Sequence, residues 1–587
     1  MTSGRVYRSA NAASGDSGLV AAEPLDQPLV ETTSSAPLPP ERMPASPDVA
    51  HDAGGSAAGN SAVMAVGSLV SRGTGFLRTL VITAALGSAV GDAYTTAQIF
   101  PGMIYEFLIG GVLTSVLVPV LVRRRKSDPD GGEAYTQRLL SLAVLALGVA
   151  TVLAVLAAPL LTALYAGAGT SGDTSHLITA LAWLILPMIF FTGLSALLSA
   201  VLNTRGHFAA PMWTPILNNI VVIAAFGVFI VLFGANAGRG AADVTPAMIL
   251  LIGGGTLLGM VVQAVGLAPA LRKVGFRYRW RGQWRELGLR ELGRLGGWMF
   301  CYVAVSQLGL IVLFNLAMTA SDRKGPGPLI YNNVFLLVMM AHGIVAVSII
   351  TALVPRMSAA AADGRWDDFT DDVSRGTRTI AAILAPIAVC YAVLATPVAV
   401  TLFRYGAFTA QNARDTGLVL FVGAAALVPF AVSQLFTFAF YALPDTKTPA
   451  LVNIPVVALR VAVQVGLFAV LTASTVAAGL MVGNAVSYVA AAVVFAVLLR
   501  RQIGPLGARR ILTTLGKVLL AAAGSGVVGY LVLLVLPGDD STDRLTAITE
   551  LVLGGAAIAL SYLAFAMLLK IREINDVVAL VRRRLGR

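Results

Sequence analysis

The sequence predicts an all-α membrane protein of about fourteen transmembrane helices, arranged as two six-helix lobes in a parallel pseudo-repeat plus two C-terminal helices. Three observations predict it: the composition, the lengths of the apolar runs and the placement of the basic residues. Of 587 residues, 57% are hydrophobic and only 12% charged, with a mean hydropathy of +0.80. Soluble domains are roughly half apolar and about a quarter charged, so a surplus of this kind calls for a bilayer as solvent.

Residues 1–60 are rich in Ala, Ser, Pro, Gly and Asp. They bury too little apolar surface to offset their ordering entropy and read as a disordered cytoplasmic tail, with no apolar stretch near Met1 to suggest a cleaved signal peptide. From residue 61 apolar spans of bilayer length follow near 61–86, 97–122, 139–165, 177–203, 212–234, 247–271, 295–320, 329–354, 380–403, 416–442, 450–472, 475–499, 511–536 and 547–569. All are expected to be helices, because backbone facing lipid must satisfy its own hydrogen bonds. The resulting divisions are an N-lobe over 61–271, a basic amphipathic cytoplasmic linker over 272–294, a C-lobe over 295–500, and a last helix pair with a basic tail over 501–587.

The basic residues test that count. With a cytoplasmic N-terminus and strict alternation, 32 of the 42 Lys and Arg fall in inner segments, six in outer loops, and Arg72, Arg78, Arg460 and Lys517 inside spans. This asymmetry fits an even number of spans, both termini cytoplasmic and a multi-pass protein of the cytoplasmic membrane. It also explains the net charge of +12 without nucleic acid. The linker's eight basic residues, interleaved with aromatics, fit a segment lying on anionic lipid.

An internal echo supports the two-lobe arrangement. Thr114–Pro119 closes the second span as Ile350–Pro355 closes the eighth. Asn203–Pro211 joins spans four and five as Tyr441–Pro449 joins ten and eleven, at nearly the same offset. Parallel repeats about an axis normal to the membrane place a substrate site between the halves.

The intramembrane charges are the candidate site. An arginine at the bilayer centre costs roughly 3 kcal/mol on insertion scales. At 1.5 Å per residue, Arg72 lies about 16 Å and Arg78 about 26 Å into the first span. Arg72 is too deep to reach the interface, whereas Arg78 could extend outward. Guanidinium groups pair with phosphate oxygens through two parallel hydrogen bonds, which suits an anionic cargo. Glu106 is read as the one carboxylate deep in a span, a partner for an arginine or a proton sensor. Asn218, Asn219, Gln307, Asn315, Asn332, Asn333 and His342 are further intramembrane polar groups, which more often make helix–helix hydrogen bonds than ligand contacts. Arg460 reads as a cavity group and Lys517 as one that reaches the interface. Arg72, Arg78, Glu106, Asn218 and Arg460 form the candidate substrate-binding set. Cys301 and Cys390 read as small core residues. No nucleotide-binding, hydrolase or metal-ligand motif appears, so neither an enzyme nor a cofactor or metal is expected.

Ser71-Arg72-Gly73-Thr74-Gly75-Phe76-Leu77-Arg78, Asp92-Ala93-Tyr94, Pro101, Val118-Pro119, Leu202-Asn203-Thr204, Pro211, Pro215, Leu402-Phe403, Tyr405-Gly406-Ala407-Phe408-Thr409 and Asp445-Thr446-Lys447-Thr448-Pro449 occur in this order. Together they resemble the MviN/MurJ family of lipid II flippases, within the MOP transporter superfamily, and in particular its actinobacterial branch. The resemblance implies two lobes around a cationic cavity, alternating access, a tail groove at the last two helices, and lipid II as cargo for peptidoglycan synthesis. It also implies cell-division or elongation proteins as neighbours. Arg72 and Arg78 match the family's first-helix arginines, and Asp92 matches its outer-loop aspartate, a gating position. Three features depart from the pattern. Tyr105-Glu106 and Gly110 stand where many members carry paired arginines and a glutamate, and Leu336 stands where many carry an eighth-helix arginine. Asn315 replaces the first acid of the sodium site found in some relatives. The rival readings are another MOP-type polysaccharide-lipid flippase, a cation-coupled drug exporter, which would want acids in its cavity, and a non-transporting cell-wall scaffold.

Overall fold

The computed structural model describes residues 52–107, 128–167, 169–235, 240–282, 289–536 and 543–575. Most of the expected tail and Thr114–Pro119 lie outside the described residues. The described residues are helical, with no strands among them.

Helix α1 (Asp52–Tyr105) begins ahead of the expected start at 61 and contains two limbs. They meet at Gly87, whose φ of 66° lies in the left-handed region that glycine enters without steric cost. The chain therefore turns on one residue and resumes helix at once. This corrects the expected second span, whose described part begins near 88 instead of 97.

Helices α2 (Glu133–Leu156) and α3 (Ala158–Tyr165) make the third span. The fourth is α4 (Gly172–Ile185) and α5 (Met188–Thr204), divided at Pro187, which has no N–H to continue the ladder. Helix α6 (Ala209–Phe233) is the fifth span, and α7 (Pro246–Val265) with α8 (Ala268–Lys273) the sixth. The second half runs through α9 (Leu289–Asp322), α10 (Pro328–Ala362), α11 (Trp366–Val393), α12 (Ala395–Phe403), α13 (Ala410–Ala442), α14 (Lys447–Val470) and α15 (Ala473–Ile503). Helices α16 (Ala508–Val535) and α17 (Arg544–Leu568) close the chain. Thirteen of these stretches are long and apolar enough to cross a membrane. The first, Val66–Tyr105, is 40 residues, about twice what a bilayer needs, so its two limbs bring the total to fourteen.

Packing follows the two halves. Helix α7 packs on α4, α5 and α6; α13 packs on α10, α11, α12 and α15; α16 and α17 pack on each other and on α11. Small residues allow the close approaches. A Cβ on Gly253 would meet Leu184, and one on Gly255 would meet Ala225, as expected where van der Waals contact drives association in lipid. The halves share one apolar core. Asn315 of α9 donates to the carbonyls of Leu164 and Ala166.

One further expectation is corrected. Pro355 does not close the eighth span: α10 continues to Ala362. Of the linker's described residues, 274–282 are not helical, whereas 289–294 already belong to α9. Residues 277–281 instead lie along α2, where Gln137 donates to the Arg277 carbonyl at 2.7 Å and Arg281 donates to Gln137 and Ser141.

Candidate functional site

Arg78 sits on the first limb of α1 and lines a cavity of ≈280 Å³ between the two limbs and α10. Thr79, Tyr94, Thr95 and Gln98 supply polar groups from α1, and Asn332 and Asn333 supply them from α10. The polar lining exists because helical spacing brings 94, 95 and 98 to one side of the second limb. Leu336, where the resemblance places an arginine in other members, lines the same cavity, so Arg78 is the one charged residue in its wall among the described residues. The Arg78 Nε is buried without a hydrogen-bond partner. A buried charged donor left unpaired is costly, and this one calls for an acceptor.

Arg72 stands about 9 Å further along the same helix. It is exposed, and a Cβ on Gly343 of α10 would run into its guanidinium. The helix there is tied to α6 by Asn219, which donates to the Ser71 carbonyl at 3.2 Å and to Thr74 Oγ1 at 3.0 Å. His342 lies within electrostatic reach of Arg72. Both first-helix arginines thus face α10, Arg78 lining the cavity and Arg72 exposed.

The other candidates do not join them. Arg460 is held in the second half, where a Cβ on Gly309 of α9 would strike its guanidinium. Tyr302, Tyr331 and Tyr488 lie within electrostatic reach. Its Nε and Nη2 are buried without partners, so it forms a second unsatisfied cation away from Arg78. Asn218 is buried between α6 and α7, pressed against Gly259. Glu106 is exposed at a π-type turn ending the described part of the second limb, and no basic side chain pairs with it among the described residues. It is not the one carboxylate within a span: Asp92, Asp372 and Glu550 are buried in helices. Asp372 was missed because α11 begins at Trp366, well before the apolar run that marks the ninth span.

Asp92 is corrected most. It is not in an outer loop but in the second limb of α1, 1% exposed. Its carboxylate accepts from the Leu329 N–H at 2.7 Å and from the Ser321 hydroxyl at 2.5 Å. It thereby pins α1 to the turn between α9 and α10. Gly327 in that turn is required by close approach, since a Cβ would collide with the carboxylate. The Ala407 N–H donates to the Ala84 carbonyl at 2.8 Å, and Gly87 packs on Ala407. Arg544 lies 3.6 Å over the Tyr405 ring and donates to the Arg404 carbonyl. The Asp92 and Ala84 contacts tie α1 to the second half beyond the Arg78 cavity. Sequence reasoning missed Ser321, Tyr331 and Tyr488; Ser321 alone carried a signal, a hydroxyl just before a polar turn.

Comparison with known proteins places these features in a family. The family model described as lipid II flippase MurJ matches residues 82–539. The match begins after Arg72 and Arg78 and takes in Asp92, Glu106, Asn218 and Arg460. The lipid II flippase MurJ of Burkholderia cenocepacia is 28% identical over 398 residues, covering 66% of this chain and 74% of that protein. The probable lipid II flippase MurJ of Bdellovibrio bacteriovorus is 27% identical over 468 residues, covering 79% and 86%. A solved structure described as lipid II flippase MurJ in an inward closed conformation has a TM-score of 0.66 at 19% identity, covering 89% of this chain and 99% of that one. An inward-facing MATE-family multidrug resistance transporter of the MOP superfamily has a TM-score of 0.59 at 16% identity, covering 74% and 94%. At these identities the solved structures establish the fold alone, but the family model spans most of the sequence, and the chain belongs to the lipid II flippase MurJ family.

Proposed function

We propose that this chain moves lipid II, the lipid-linked peptidoglycan precursor, from the inner to the outer leaflet of the cytoplasmic membrane by alternating access. The observation that carries the reading is the half-buried Arg78 guanidinium, whose Nε is buried and unpartnered in a cavity between α1 and α10. A pyrophosphate supplies the missing acceptors, and the planar guanidinium matches two phosphate oxygens at once. In this reading Arg72, exposed toward the inner side, makes first contact, and Arg78 receives the group as it moves inward. Arg460 offers a second cation in the other half. Asn218 and Glu106 act at a distance from the phosphate, Asn218 by fixing α6 against α7 and Glu106 as a polar group at the cavity's approach. Asp92 holds the outer end shut while cargo loads. The chain performs no covalent chemistry. Both termini face the cytoplasm, in line with the excess of Lys and Arg in the inner segments. Division or elongation proteins are its neighbours.

The test is depletion with complementation. Lipid II exposed on the outside of intact cells is measured while the chromosomal copy is depleted and wild type, Arg72→Ala or Arg78→Ala is supplied at matched membrane levels. Exposed lipid II should fall on depletion and return only with wild type. Full rescue by both alanine variants would overturn the arginine grip; undiminished exposure on depletion would overturn the flippase reading.

A further inference from the structure

A second concentration of charge lies far from the Arg78 cavity, where α16 begins and where the chain runs on from α17. A cavity of ≈590 Å³ there is walled by Arg378, Arg509, Arg510, Lys517, Lys570 and Arg572. Glu573 is the one carboxylate in that wall, and it is already engaged: it is 6% exposed and pairs with Arg378. Arg510 reaches Asp371 at 3.8 Å, but both side chains are over three-quarters exposed, and such pairs contribute little. Among the described residues no carboxylate pairs with Arg509, Lys517, Lys570 or Arg572. Lys517 does leave the apolar part of α16, as its sequence position suggests, but it points into this cavity.

Six cations around one cavity repel each other, and a multivalent anion between them converts the repulsion into attraction. Mixed guanidinium and ammonium donors are the chemistry of phosphate. A second feature indicates what carries the phosphate. Arg509 and Arg510 also line an adjoining cleft of ≈990 Å³ walled by Val432, Phe436, Val493 and Leu512 among others. Val493 and Leu512 are 57% and 67% exposed. Asp367, Asp368 and Asp371 stand on the rim of this cleft, where they disfavour a second acidic group but not a hydrocarbon chain. A soluble phosphate compound has no use for such a cleft, whereas a lipid fills both spaces. Basic pockets between transmembrane helices at the headgroup level are suited to this use.

We infer that this cavity binds the phosphate headgroup of an anionic membrane lipid, with an acyl chain in the adjoining cleft. The inference does not rest on the flippase reading.

The full chain, purified in detergent, is titrated with phosphatidylglycerol or cardiolipin, with phosphatidylcholine, and with inorganic phosphate and pyrophosphate. Binding is read by native mass spectrometry and by the shift in thermal unfolding. Wild type should bind the anionic lipids and rise in Tm, while phosphatidylcholine and the inorganic anions leave both unchanged. Arg509→Gln/Arg510→Gln/Lys517→Gln should weaken anionic-lipid binding at least roughly tenfold. Lys570→Gln/Arg572→Gln, altering the opposite wall, should weaken it too, so the result does not depend on one variant folding. Equal binding by wild type and both variants overturns the site. Equal stabilisation by pyrophosphate overturns the lipid assignment in favour of a soluble anion. Preferential capture of a polyprenyl pyrophosphate over phosphatidylglycerol overturns the bulk-lipid assignment in favour of the cargo.

Discussion

Arg78 and Asp92 carry opposite charges on the two limbs of one helix, and their surroundings differ in kind. Asp92 is satisfied by two donors, whereas the Arg78 Nε has none. A satisfied group is read as structural and an unsatisfied one as awaiting a ligand. Arg78→Lys should keep charge but lose the two-pronged geometry, so exposed lipid II should recover only in part in cells that carry it, between wild type and Arg78→Ala. Asp92→Asn preserves size but replaces the charged acceptor by a neutral amide, with Ser321 turning to accept from its NH2, which weakens the pair of bonds by about 1–2 kcal/mol. In a background lacking Cys301 and Cys390, a Gln98→Cys reporter in the cavity should then label faster with an impermeant maleimide added outside. Equal rates with and without Asp92→Asn would remove the carboxylate from the proposed closure. The arginines were legible in sequence because charge in an apolar run is conspicuous. The burial of Asp92 was not, because an acid beside Gly and Asp-Ala-Tyr reads as loop until the turn at Gly87 is known.

At the scale of elements, that turn is the most economical joint in the molecule. A non-glycine residue in the left-handed region costs roughly 1–2 kcal/mol, and a Cβ at Gly87 would lie 3.0 Å from the Ala407 carbonyl. Gly87→Ala should therefore lower stability by at least that amount in thermal unfolding of the purified protein. Gly148→Ala, in α2 with nothing within 4 Å, should be neutral or stabilising by up to about 1 kcal/mol. All fourteen spans were legible from apolar runs of bilayer length. The ends were not. Polar stretches such as Trp366–Arg378 continue a helix beyond the lipid, where water satisfies the side chains, so apolarity underestimates helix length. Pro355 misled for a related reason: neighbouring helices tolerate a proline inside a transmembrane helix.

For the whole molecule, the sequence pattern anticipated two packed halves and an appended pair, and α16–α17 do pack on α11. It could not anticipate which polar groups from distant spans meet, because Arg78, Gln98 and Asn332 come together only through packing. Arg460 shows the limit: its depth was legible, its separation from Arg78 was not. The topology has its own test. Thr409→Cys should label from outside intact cells, and Thr446→Cys only after permeabilisation. The reverse pattern would invert the orientation proposed here.

The Asp92 contacts also set a scale for the switching proposed here. Two hydrogen bonds to one carboxylate contribute together about 3–6 kcal/mol. Turning an equilibrium from one per cent to ninety-nine per cent requires about 5.5 kcal/mol of differential binding. On the proposed alternating-access reading, bonds of this strength weight the empty protein toward one state, within what a single well-held diphosphate can offset. On that reading the balance between the two states is weighted by one aspartate acting together with the Ala84–Ala407 and Arg544–Arg404 contacts.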